Sequence, residues 1–212
     1  MTNTTQRLVK TSILLAIATV LSVVKLFSMP FGGTITPASM MPVILIAYIY
    51  GTKWGLFSAF IYGILQMITG MNVVSAMFLP GESQMVIWHA VLVCVIDYIL
   101  AYMMLGFGGV FKNKIKNQSL SIALGTFVSM LLTYIMHIVS GYIFYGAWAE
   151  WFFTQDGFYS FGKTIVESFS GNLLSLIYSV IYNGLYMIPE IIITVLLTPF
   201  VYAVLKKSKS VL

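Results

Sequence analysis

Four side chains interrupt the apolar stretches of this chain and carry its chemistry: Asp97, His137, Asn183 and Glu190. Ionisable groups in such stretches are costly, so they mark a ligand pathway, a binding site or a paired lock. Tyr145, Tyr178, Tyr182 and Tyr186 flank them in sequence. A carboxylate accepts hydrogen bonds from ring amino groups, and aromatic faces stack on rings and attract cations. The set suits a flat heteroaromatic ligand that is cationic or rich in N–H donors. Glu190 follows Asn183 by two helical turns, so the two face nearly the same way. For Glu190, a lock beside Pro189 and a ligand contact both stay open. No nucleophile–base pair, Gly-rich phosphate loop or metal-ligand run is present. One cysteine, Cys94, and two histidines leave no basis for a metal site. Binding without a cofactor therefore outranks catalysis. A membrane enzyme using Asp97 and His137 as acid and base is the alternative from another class, and a purely structural membrane protein is a third.

The elements that must position these residues are membrane helices. Of 212 residues, 59% are apolar and 8% charged, against about 25% charged in an ordinary soluble domain. So little charge excludes a soluble globule, a disordered chain and a nucleic-acid binder. Six spans are expected in one all-α domain covering 1–212: 8–28, 37–51, 54–70, 86–106, 119–145 and 173–205. No signal peptide, internal repeat or low-complexity tract is evident. Arg7 and Lys10 precede the first span, and Lys53 lies between the second and third. Lys112, Lys114 and Lys116 lie between the fourth and fifth, and Lys206, Lys207 and Lys209 follow the sixth. With six spans all of these fall on one side, which the positive-inside rule makes cytoplasmic, both termini included. The opposite loops carry Glu82, Glu150, Asp156 and Glu167 with Lys163.

At 1.5 Å per residue, Asp97, His137 and Asn183 lie roughly 12–16 Å below the outer ends of their helices. A cavity open to the outside, or a buried structural network, accounts for this shared depth. Lys25 reads as a snorkelling lysine, and His89 as an interfacial residue rather than a ligand. Trp54, Trp88, Trp148 and Trp151 fall near span ends, where aromatic belts sit. The segment 28–37, SMPFGGTITP, is the candidate lining or lid. Small residues at four-residue spacing, Ser12 with Ala16 and Ala18 with Ser22, allow close helix approach.

Four motifs carry a resemblance. They are SLIYSVIYNGLYMIPE at 175–190, HIVSGYIFYGAWA at 137–149, IDYILAYMMLGFGG at 96–109, and residues 31–66. In this order they resemble the thiamine-specific S components of energy-coupling factor (ECF) transporters. The resemblance implies a six-helix S-component bundle in a bacterial plasma membrane that captures thiamine from outside. It also implies partners: a transmembrane coupling subunit with two ATPases, docked on the Ser12, Ala16, Ala18, Ser22 face. Residue by residue it implies that Asp97, followed by Tyr98, receives the aminopyrimidine ring. His137, Gly141, Tyr145, Tyr178 and Asn183 complete the site, with Tyr182, Tyr186 and Glu190 behind them.

The sequence departs from that pattern. Asp97 stands where glutamate is usual, Tyr145 where tryptophan is usual, and residues 28–37 carry no capping tryptophan. The fifth outer loop, about 146–172, contains an insertion whose Trp148, Trp151 or Phe152 could supply the ring. Another pyrimidine-containing or unrelated vitamin is the alternative ligand.

Overall fold

A computed structural model describes residues 3–29 and 32–208. Pro30 and Phe31 of the candidate lid, and Lys209 of the basic tail, lie outside the described residues. The first helix, α1, runs Asn3–Val23 rather than 8–28. Its apolar continuation leaves helix because the backbone finds partners across a hairpin. Strand β1 (Phe27–Ser28) pairs antiparallel with β2 (Thr34–Ile35), Phe27 opposite Ile35. The reversal uses Gly32 and Gly33 at φ of 94° and 78°, angles that glycine adopts without a Cβ penalty.

Helix α2, expected over 37–51, is Met41–Tyr50, with proline in its first turn, a position that needs no N–H partner. It is ~15 Å long, about half the ~30 Å of hydrocarbon. Residues Pro42 to Tyr48 are all buried, so protein rather than lipid surrounds it. Helix α3 (Thr52–Thr69) turns back from it, and α4 (Met71–Ala76) follows. The next rod is composite. It comprises α5 (Ile87–Val93), a π-helical stretch Cys94–Leu100, one α turn α6 (Ala101–Met103) and a 3₁₀ turn Met104–Gly109. Helix α7 spans Gln118–Phe144, and α10, Gly171–Ser208, packs along it. Between them the fifth loop folds into α8 (Ala149–Phe153) and α9 (Tyr159–Ser168).

Among the described residues, four helical rods are long and apolar enough to cross a membrane: Thr4–Val23, Ile87–Gly109, Gln118–Phe144 and Gly171–Lys207. Hydrogen bonds define the two ends of the bundle. At one end Lys206 Nζ donates to Gln118 Oε1 (2.7 Å), and Lys112 Nζ to the Ile49 carbonyl (2.7 Å). Partial burial pulls the Lys112 pKa down. Arg7 sits 3.9 Å above the Trp54 ring at this same end, a cation–π contact. The opposite end carries the hairpin, α4, the 77–86 loop, α8 and α9. The core between them joins Met40, Ile44, Tyr62, Met130, Tyr178 and Met187.

Candidate functional site

Asp97 lies in the π-helical stretch. Such widened turns occur mostly at functional sites. The i→i+5 pattern turns Asp97 away from the direction a 3.6-residue period gives. Its Oδ1 accepts a hydrogen bond from His137 Nδ1 at 2.8 Å. An ionised carboxylate only accepts, so Nδ1 carries the proton in this pair. The Asp97 side chain keeps 27% of its surface exposed, against 7% for His137, which leaves the carboxylate able to take a second donor.

Asn183 ties helices together. Its Nδ2 donates to the His137 carbonyl (3.2 Å) and the Ser179 carbonyl (2.9 Å). Its Oδ1 accepts from the Tyr186 hydroxyl at 2.7 Å. Gly141 makes this approach sterically possible, since a Cβ there would lie 2.4 Å from Ser179 Oγ and 3.0 Å from Asn183 Nδ2.

The aromatic wall comes from α10 and the loops. Tyr178 is 1% exposed, its ring 5.5 Å from Tyr182 and 5.3 Å from Phe152. Tyr182 donates to the Gly32 carbonyl at 3.1 Å. Gly33 lies against the Tyr186 ring, where a Cβ would meet a ring carbon at 2.4 Å. Tyr145 donates to Met77 Sδ at 3.4 Å.

Asp97, His137, Gly141, Tyr145, Tyr178, Tyr182, Asn183 and Tyr186 thus surround one cavity of about 30 Å³, with Gly32 and Gly33 above it. Asp97, His137, Tyr186 and the two glycines also line a neighbouring cavity of about 70 Å³. Tyr98 belongs to that second cavity and not to the first. Glu190 lies there too and is fully buried. Its Oε1 accepts from the Thr36 backbone N–H and, at 2.6 Å, from Thr36 Oγ1, pinning the hairpin to α10. Its Oε2 is buried with no hydrogen-bond partner among the described residues. Lys25 is exposed beside a third cavity of about 190 Å³, and His89 is exposed 5.7 Å from the Phe144 ring.

The small-residue face divides. Ser12 and Ala16 are exposed. Ala18 is fully buried, and Ser22 is buried with its Oγ accepting from Gln66 Nε2 at 3.0 Å. Ala18 and Ser22 therefore serve packing inside the bundle and are unavailable to a partner.

Sequence reasoning missed four contributors. Gly32 and Gly33 follow Pro30 and Phe31, a turn signal that marked a lining but not its two residues. Thr36 falls in the same 28–37 lining without being singled out, and Met77 carried no signal. Of the three candidate rings in the fifth loop, Phe152 is the one buried against the site, 4% exposed and packed on Phe158 at 4.7 Å as well as on Tyr178 and Tyr182. Trp151 remains 39% exposed.

Long apolar helices thus surround a cavity lined by carboxylate, imidazole, amide and phenol groups. The sequence model of the family described as Thiamine transporter protein (Thia_YuaJ) matches residues 8–162. The chain belongs to that family. The matched stretch contains Asp97, Tyr98, His137, Gly141 and Tyr145 and ends before Tyr178 and Asn183. Thiamine transporter ThiT of Bacillus subtilis (strain 168) is 28% identical over 198 residues, 88% of this chain and 85% of that protein. A solved structure of ThiT from Listeria monocytogenes shares the fold at a TM-score of 0.62. It is 24% identical, with 97% of this chain and 96% of that one covered.

Proposed function

We propose that this protein is the thiamine-capturing S component of an ECF-type vitamin transporter. Membership in a transporter family sets aside the reading of Asp97 and His137 as an enzyme's acid and base. The observation that carries the proposal is the convergence of Asp97, His137 and Asn183, from three separate helices, on one cavity walled by tyrosines. Asp97 takes the amino group of the pyrimidine. Tyr178 and Tyr145 contact the rings. His137 holds the carboxylate, and Asn183 holds α10 to α7 so that these groups face each other. Small-molecule pockets measure roughly 300–1,000 Å³, so binding includes a widening of this small space. Titration of purified protein with thiamine, followed by tryptophan fluorescence, tests the reading, and absence of binding moves the assignment to another vitamin.

In this reading the single domain crosses the bacterial plasma membrane six times, with α3 and the segment 34–50, of which α2 is the helical half, forming the two passes beyond the four long rods. The basic end, with both termini, faces the cytoplasm. Native Cys94 is buried, so single added cysteines report topology. A cysteine at Asn117 is expected to resist an impermeant thiol reagent in intact cells, and one at Gln155 to react. Equal labelling at both positions overturns this orientation.

The exposed Ser12 and Ala16 face seats the transmembrane coupling subunit, which carries two ATPases. Ala16→Leu is expected to abolish ATP-driven uptake in proteoliposomes containing that module while thiamine affinity stays unchanged. Ala18→Leu behaves differently. Overfilling a packed interior costs about 1–3 kcal/mol, so it lowers thermal stability first. Full uptake by Ala16→Leu removes this face from the docking surface.

A further inference from the structure

A cavity of about 480 Å³ opens at the hairpin end beside the candidate site. It lies between α4, the 77–86 loop, the start of α5 and the end of α7. Its lining combines the rings of Phe144, Tyr145 and Trp148 with the polar groups of Asn72, Glu82 and His89. Tyr145 is common to this cavity and the inner one. Its hydroxyl donates to Met77 Sδ at 3.4 Å, and Met77 itself lines the outer side.

Volume decides what each space can do. The inner cavities measure about 30, 70 and 190 Å³. The outer one, unlike these three, falls within the roughly 300–1,000 Å³ of small-molecule sites. Charge points the same way. Glu82 is the carboxylate in its lining and is exposed, while Lys25 lies beyond Asn72 and Val73, beside the adjoining cavity of about 190 Å³. A carboxylate at the cavity attracts cations, and aromatic faces hold them.

We infer that this outer cavity is a vestibule that takes the cationic aromatic ligand first, with Glu82 and the Phe144–Tyr145–Trp148 wall as its binding groups. Displacement of the Tyr145 ring then passes the ligand inward to Asp97. The inference rests on the thiamine reading and adds to it a second, weaker site on the same route.

Stopped-flow fluorescence with thiamine tests it. The observed rate should rise hyperbolically with thiamine concentration, with half-saturation reporting the vestibule complex. Glu82 is exposed on a loop, so Glu82→Gln preserves the fold. Loss of an exposed charge contact should raise the half-saturation concentration about two- to five-fold. Equilibrium affinity should stay within about two-fold, because the ligand at its inner position no longer touches Glu82. Added salt should act in the same direction as the substitution. Asp97→Asn should keep the fast weak phase while weakening the tight one. A linear rate dependence, an unmoved half-saturation or an equal loss of equilibrium affinity in Glu82→Gln overturns the vestibule and leaves the functional reading standing. Failure of the unmodified protein to bind thiamine overturns both.

Discussion

Thiamine binding by the Asp97→Asn variant is expected to weaken ~10- to 150-fold. The substitution keeps the size of the side chain and an oxygen able to accept from His137 Nδ1, which lies 2.8 Å from Oδ1. It removes the negative charge that faces the cavity. A hydrogen bond to a charged group contributes about 1.5–3 kcal/mol in a dry setting, which converts to that range of affinity. Thermal stability without ligand should change little, since the His137 contact survives. Unaltered affinity would remove this carboxylate from the site. Asn183→Ala is a different experiment. Its amide is committed to His137, Ser179 and Tyr186, so its loss should lower stability and affinity together.

The second large effect is expected at Phe152. Its ring is 4% exposed and lies within 5.5 Å of the Phe158, Phe153, Tyr178 and Tyr182 ring centroids. Truncating a buried phenylalanine costs about 3–5 kcal/mol. Because Phe152 joins the short α8 to α10, the cost falls on the docking of the fifth loop over the site. Phe152→Ala should therefore expose 146–168 to limited proteolysis and reduce thiamine affinity at least ten-fold. Phe152→Leu, which keeps most of the volume, should retain both properties. Equal behaviour of the alanine variant and the unmodified protein would show that the loop packs without closing the site.

Much of the site's chemistry was legible from residue type. Asp97, His137 and Asn183 stood out because polar groups in apolar stretches are rare and costly. Their placement at matching depth followed from the rise of a helix. Gly141 was legible as a close-approach glycine only through the family motif. Tyr98 was placed beside its neighbour Asp97 by that motif, and the two share the adjoining cavity, although Asp97 also lines the inner one. Periodicity could not foresee the π-helical stretch that holds both, because a π turn leaves no trace in hydrophobic spacing. The small-residue face shows the same limit. Spacing marks Ser12, Ala16, Ala18 and Ser22 alike, whereas burial assigns Ala18 and Ser22 to the interior.

By itself, the sequence determined the membrane class, the helical architecture, the gathering of basic residues toward the termini and the identity of the central polar groups. These follow from local quantities: composition, run length, charge and helical rise. The tertiary structure alone decided the contacts that close the site. Thr36 meets Glu190 across 154 residues of chain, Tyr182 meets Gly32 across 150, and Tyr145 meets Met77 across 68. No local preference encodes such pairs. They form because a buried carboxylate, carbonyl or hydroxyl must find a partner where water is absent, and which partner is within reach depends on how the helices pack.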